Sequence, residues 1–321
     1  MSTFKEIRGT LIKSVSSDPA NPEVGEIWYN NTIGVLKGYV NLGGAWASGG
    51  NMTTARQGLA GAGTQTEGLA FGGIAAPFPT LSNSTEEYNG STWAGGGNMG
   101  TARTDLGGAG TQTAGLAFGG QIPTFASTEE YNGSTWGPGG NLSTGRYSLA
   151  GAGTQTAGLA FGGRVPANSV ATEEYDGSAW TAGGNMGTAR GYLAGCGLQT
   201  AGLAFGGADA ALLAATEEYD GAAWTAGGSL NTARNGLAGA GTQTAGLGFA
   251  GYPVPGVGTR TEAYDGTAWT SVSPMSTARN SLAGAGTQTV GLAFGGTPPL
   301  STATEEFTDP LIITQTLTTS T

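Results

Sequence analysis

In TAGLAFGG (residues 113–120) two large apolar side chains, Leu116 and Phe118, alternate with glycine and alanine, which sets both on one face of an extended chain. That alternation predicts a half-buried strand. SLAGAG (148–153) is almost wholly small after its leucine, as suits a strand with close neighbours. STEEYNGSTW (127–136) reads as two short strands about Asn132-Gly133, with Asn89-Gly90, Asp176-Gly177, Asp220-Gly221 and Asp265-Gly266 at matching places. Such pairs favour a type I′ hairpin, whose two central residues both need positive φ. No segment of the repeats shows a helical period with caps.

The pattern recurs. Arg56, Arg103, Arg146, Arg190, Arg234 and Arg279 lie 47, 43, 44, 44 and 45 residues apart. Ten residues before each stands a tryptophan: Trp46, Trp93, Trp136, Trp180, Trp224 and Trp269. Nine residues after each stands a glutamine (Gln65, Gln112, Gln155, Gln199, Gln243, Gln288). All length variation falls between the second glycine of the Gly-Gly pair and the threonine of TEEY, a gap of 8 to 12 residues. Four short strands at a period near 44 residues describe a propeller blade, with the Gly/Ala strand innermost.

The sixth repeat has TEEF (304–307) but no tryptophan after it, while Trp46 stands at the opposite end of the chain without a preceding TEEY. The expected fold is therefore all-β, a six-bladed propeller closed by an N-terminal strand, with short N- and C-terminal β extensions. Residues 1–34 read as an N-terminal docking segment, 35–309 as the propeller with 35–50 completing its last blade, and 310–321 as a C-terminal extension. Strands are expected over 4–15 and 26–29, and LIITQTLTTS (311–320) joins them in the docking element.

The succession FGG, EEYDGSAW, NMGTAR resembles the kelch repeat and covers residues 46–307. The resemblance implies a β-propeller. SSDPANPEVGEIWYNNTIGVLKGYV (16–40) is similar to segments of bacteriophage tail-fibre and other virion structural proteins. Together the two resemble the kelch-like structural proteins of marine phages.

Composition removes many functions. Net charge is −10 and all three lysines (Lys5, Lys13, Lys37) precede residue 40, so no basic stripe is offered to nucleic acid or anionic lipid. Without histidine there is no Ser-His-Asp or Cys-His catalysis and no imidazole metal ligand. Cys196, the single cysteine, stands where the other repeats have alanine and reads as a small buried thiol. The start lacks the apolar core of a secretory signal, and no run of about 18 apolar residues occurs. Neither export through that route nor membrane insertion is expected.

Gly108-Ala109-Gly110 lacks the third glycine of a dinucleotide fingerprint, Thr113 standing there instead. The six arginines invite comparison with a sialidase cluster, but catalysis needs unlike groups converging on one substrate. They read instead as structural: each repeat carries one such arginine and one or two glutamates (Glu129 and Glu130, for instance), so an intrablade or interblade ion pair satisfies the guanidinium while the other glutamate of a pair is solvated. Neither a resident metal nor a cofactor is expected; calcium at the axis or a loop is an open alternative.

The variable loops are apolar, proline-rich and nearly uncharged. Candidate binding residues on this face are Phe78, Pro79, Ile122, Phe125, Val165, Leu212, Leu213, Tyr252, Val254, Pro299 and Leu300. Such a patch points to a protein interface, with mutual packing of the loops as the plainer alternative. The expected function is a non-enzymatic virion component, a tail fibre, appendage or decoration, assembled in the host cytoplasm as a homo-oligomer or in many copies. Its expected partners are other virion proteins and a host-surface protein or glycan. A carbohydrate-binding module is the alternative, and a sialidase-like glycan enzyme ranks below both.

Overall fold

The computed structural model describes residues 12–17, 27–40, 44–253, 255–309 and 313–317, with backbone alone at 38–40 and 313–317. Val254 and the expected strand residues at 4–11, 26, 311–312 and 318–320 lie outside the described residues. The chain divides into two units, Met1–Gly44 with Asp309–Thr321, and Ala45–Thr308.

The smaller unit holds one sheet, in the order Lys13–Val15, Ile27–Asn30, Val35–Val40, Ile313–Leu317. Its first pair is parallel and the others antiparallel. Trp28 is fully buried, and the Asn30 side chain accepts the N–H groups of Thr32 and Ile33 to fix the turn between the second and third strands. Residues 35–40, expected in the last blade, pair here instead.

In the larger unit each of the six repeats carries a four-stranded antiparallel sheet, and no helix occurs among the described residues. The first runs Ala60–Gly63, Gly68–Phe71, Thr85–Tyr88, Trp93–Gly95. The sixth runs Ala283–Gly286, Val290–Phe294, Thr304–Thr308 and then Ala45–Ser48, with Phe307 opposite Trp46. The architecture is all-β and consistent with a repeat β-propeller.

The second strand is buried on both faces rather than half-buried: Leu69, Ala70 and Phe71 are each 0% exposed. Its small face receives the large face of the preceding repeat. A Cβ on Gly115 would come within 2.6 Å of Leu69 Cδ2, so only glycine fits there without displacement. First strands lie side by side in repeat order, and the sixth, Ala283–Gly286, lies beside the first, Ala60–Gly63.

The Asn-Gly and Asp-Gly turns are not type I′. Tyr88 pairs with Trp93 across a four-residue loop, in which Gly90 has φ +87° and Asn89 is not among the positive-φ residues. The Asn89 side-chain oxygen accepts the N–H groups of Ser91 and Thr92, and Asp176 does the same for Ser178 and Ala179. The short polar side chain thus ties down backbone donors that a two-residue turn would not leave free.

Candidate functional site

The repeated residues all act between neighbouring repeats. Arg146 sits on a segment whose backbone bonds the second repeat, through Gly139 N–H to Thr128 O in its sheet and through Leu142 N–H to Ala126 O and Arg146 N–H to Phe125 O in the loop before that strand. Its guanidinium reaches into the third sheet, to Glu173 Oε1 at 2.8 Å and to the carbonyls of Gly162 and Ala171. The arginine therefore staples two sheets together. The pairs Arg56–Glu86, Arg103–Glu129, Arg190–Glu217, Arg234–Glu262 and Arg279–Glu305 span 2.6–3.0 Å, all buried. Oε2 of each glutamate takes a backbone N–H from the arginine's own segment, as Ser143 N–H does for Glu173. Desolvation lowers the affinity of each guanidinium for its proton, and the paired glutamate opposes this.

The second glutamate is not simply solvated. Glu87, Glu130, Glu174, Glu218 and Glu306 each accept the phenol of a tyrosine in the following repeat: Tyr131, Tyr175, Tyr219, Tyr264 and Tyr88. At the remaining interface both partners are absent together, Ala263 standing for the glutamate and Phe307 for the tyrosine, so neither polar group is stranded. Each tryptophan Nε1 donates to a threonine of the preceding sheet at 2.8–2.9 Å, Trp93 to Thr304 and Trp46 to Thr261 included. Each repeat glutamine donates to two carbonyls across the same boundary, with Gln65 reaching Gly291 and Phe307.

The tyrosines give a pH prediction. Burial, then the hydrogen bond to glutamate, pushes the phenols of Tyr88, Tyr131, Tyr175, Tyr219 and Tyr264 up to about 12, from 10.0. The unfolded chain releases these protons near pH 10 and the folded chain near 12, so the folded form binds more protons between the two. Stability is complete below about pH 10 and falls as pH rises toward 12. Urea midpoints across this window should show the decline, with a shallower slope in Tyr175→Phe.

Cys196 is buried, and desolvation raises its thiol to about 12. It is a core side chain. Among the loop residues, Phe78 (66%), Ile122 (58%), Tyr252 (44%) and Val165 (37%) are well exposed. Pro79 and Pro299 are exposed too, whereas Phe125, Leu212, Leu213 and Leu300 are half-buried. The loops thus combine packing with an apolar outer surface.

A second feature lies where these loops begin. The residue two after each repeat arginine is Gly58, Asp105, Ser148, Tyr192, Gly236 or Ser281, and all six have φ between 51° and 61°. Each donates its backbone N–H to the carbonyl of the one before at 2.7–2.9 Å, and Gly58 N–H donates to Ser281 O, so the ring returns on itself. The residue preceding each ring member pairs with the first residue of a variable loop, as Thr104 does with Gln121. The ring surrounds a cavity of about 80 Å³ floored by Leu59, Leu106, Leu149, Leu193, Leu237 and Leu282. Beyond that floor a cavity of about 140 Å³ is walled by the same leucines and the small pairs that follow them in the first strands, Ala-Gly in five repeats and Gly107-Gly108 in the second.

The ring breaks the repeat symmetry with chemistry around one opening. Asp105 accepts the Gln121 amide, and burial pushes its carboxyl above the ordinary carboxylate range while that amide pulls it back. Ser148 is 6% exposed, and its Oγ has no hydrogen-bond partner among the described residues. The Arg164 guanidinium lies 5.8 Å from the centre of the Tyr192 ring. Sequence reasoning misses this ring, although a signal was there: between arginine and leucine, both constant in all six repeats, this position reads Gly, Asp, Ser, Tyr, Gly, Ser.

Left-handed φ costs a residue with a Cβ about 1–2 kcal/mol. Ser148→Gly relieves that strain and removes a buried hydroxyl without a partner, so we expect it to stabilise the fold by about 1 kcal/mol, a Tm rise of about 2–4 °C in calorimetry. A loss of stability would show that the Ser148 hydroxyl holds the ring together.

No protein-family model matches the chain, and no curated protein matches it in sequence.

Proposed function

We propose that the six sheets form a six-bladed β-propeller closed by Ala45–Ser48, and that the protein is a non-enzymatic virion component whose loop face meets other virion proteins or the host surface. Closure is supported by the backbone ring from Gly58 to Ser281 and by the boundary between sixth and first sheets, which carries the same Trp-Thr, Tyr-Glu and Gln-carbonyl contacts as the others. The virion assignment rests on the resemblance of residues 16–40 to tail-fibre segments.

One observation carries the reading of the loop face as a contact surface. The recurrent arginines, glutamates, tryptophans and glutamines are spent on neighbouring repeats, while Phe78, Ile122, Val165 and Tyr252, four of the six exposed large apolar side chains described in the larger unit, lie on the irregular loops and the other two, Leu198 and Val290, at strand ends. Binding chemistry therefore belongs to the loops and ring. A carbohydrate-binding module is the second reading, favoured by the asymmetric polar ring at the centre of that face.

The test is immunogold labelling of purified particles with antibodies raised against the chain. Label on the particles is the expected result, and its absence from particles that infect normally overturns the virion reading. Phe78→Ser combined with Ile122→Ser should slow adsorption to host cells.

A further inference from the structure

Four of the five non-glycine residues with positive φ among the described residues, Asp105, Ser148, Tyr192 and Ser281, line one small cavity; Ala250 is the fifth. Glycine occupies the same ring position at 58 and 236 with the same φ and the same ring hydrogen bonds. Glycine would therefore serve the backbone at all six places. Strain retained where it is not needed for folding, and gathered around one opening, is the mark of a site shaped for a ligand.

The side chains say what kind. Asp105 offers a carboxyl that the Gln121 amide holds in place, with Oδ1 lying beside Gly58, where a side chain would collide with it. Ser148 lines the same cavity, with its hydroxyl buried and without a partner among the described residues. Tyr192 adds an aromatic ring and the leucines an apolar floor. Acceptors and hydroxyls beside an apolar wall match a pyranose, which carries hydroxyls on its edge and C–H groups on its faces.

We propose that the mouth of the ring binds a neutral hexose at the non-reducing end of a glycan. This rests on reading the loop face as a contact surface. A cavity of about 80 Å³ admits the edge of one terminal sugar, not the interior of a chain. A carboxyl inside the mouth and a net charge of −10 disfavour an acidic sugar. No group of three or more Cys, Asp and Glu side chains that could hold a metal ion gathers among the described residues. A protein partner would engage the exposed loop side chains outside the ring.

The test uses the full chain with methyl glycosides of glucose, galactose, mannose and N-acetylglucosamine, followed by saturation-transfer NMR and calorimetry. A sialic acid glycoside and butylammonium serve as charged comparisons. At least one neutral glycoside should bind, and Asp105→Gly and Tyr192→Gly should each weaken it by about tenfold or more. Glycine at 58 and 236 shows that the ring accepts it, so both variants should keep a Tm no lower than the parent. No neutral glycoside bound, undiminished binding in both variants, or tighter binding of sialoside or butylammonium would each overturn the proposal. The particle experiment is independent: label on particles without glycoside binding removes this site and leaves the virion reading, while glycoside binding by a chain absent from particles does the reverse.

Discussion

Arg146→Met, with Glu173 left in place, should lower stability by about 3–5 kcal/mol, read as a fall in the urea midpoint at unchanged slope. The arginine is 1% exposed and Glu173 3%, so the carboxylate would be left buried with the Ser143 N–H as its remaining bonded donor. The Gly162 and Ala171 carbonyls would lose their guanidinium partner at the same time. Substituting both charges, as Arg146→Met with Glu173→Leu, should return at least half of the loss, because the desolvation of both ions disappears with them. The coupling follows from the double-mutant cycle. A single substitution costing under about 1 kcal/mol would mean that the pair does not bind the second sheet to the third.

Much of this arrangement was legible because six copies repeat the same residue at the same phase. Periodicity shows which residues recur, and the missing tryptophan after TEEF directs attention to Trp46. It does not show in which repeat a partner sits. Strand alternation leaves one glutamate of each pair reading as solvated, yet Glu130, the one that does not meet an arginine, is reached by the Tyr175 phenol from the next repeat. A clue existed in the joint absence of glutamate at Ala263 and of tyrosine at Phe307. The turns differ from type I′ for a local reason: Asn-Gly suits that type, but the Asn89 side chain accepting two N–H groups stabilises a four-residue loop instead. The ring is harder to read, because positive φ at non-glycine residues leaves no mark in the sequence beyond one varying position between a constant arginine and a constant leucine.

Trp46→Ala should cost about 3–5 kcal/mol, and the same change at Trp180 should cost the same within about 1 kcal/mol. The comparison tests closure, because Trp46 reaches its sheet from the far end of the chain while Trp180 follows its own third strand directly. Both are 9% exposed, and both donate Nε1 to a threonine of the preceding sheet at 2.9 Å. Each also meets a phenylalanine of that sheet, Phe249 at 5.1 Å for Trp46 and Phe118 at 4.9 Å for Trp180. If the ring closes through Ala45–Ser48, the two tryptophans fill equivalent sites and their removal opens equivalent cavities. If that strand only frays against the sixth sheet, Trp46→Ala costs little, because the unfolded and folded states expose the side chain alike. Removing residues 1–50 extends the test. The sixth sheet would then end at Thr304–Thr308 with an unpaired edge, and Phe249, Phe307 and the Thr261 hydroxyl would lose their tryptophan together. Calorimetry should show Tm falling further than Trp46→Ala alone produces; a truncated chain melting at the parent temperature would leave the ring open at this edge.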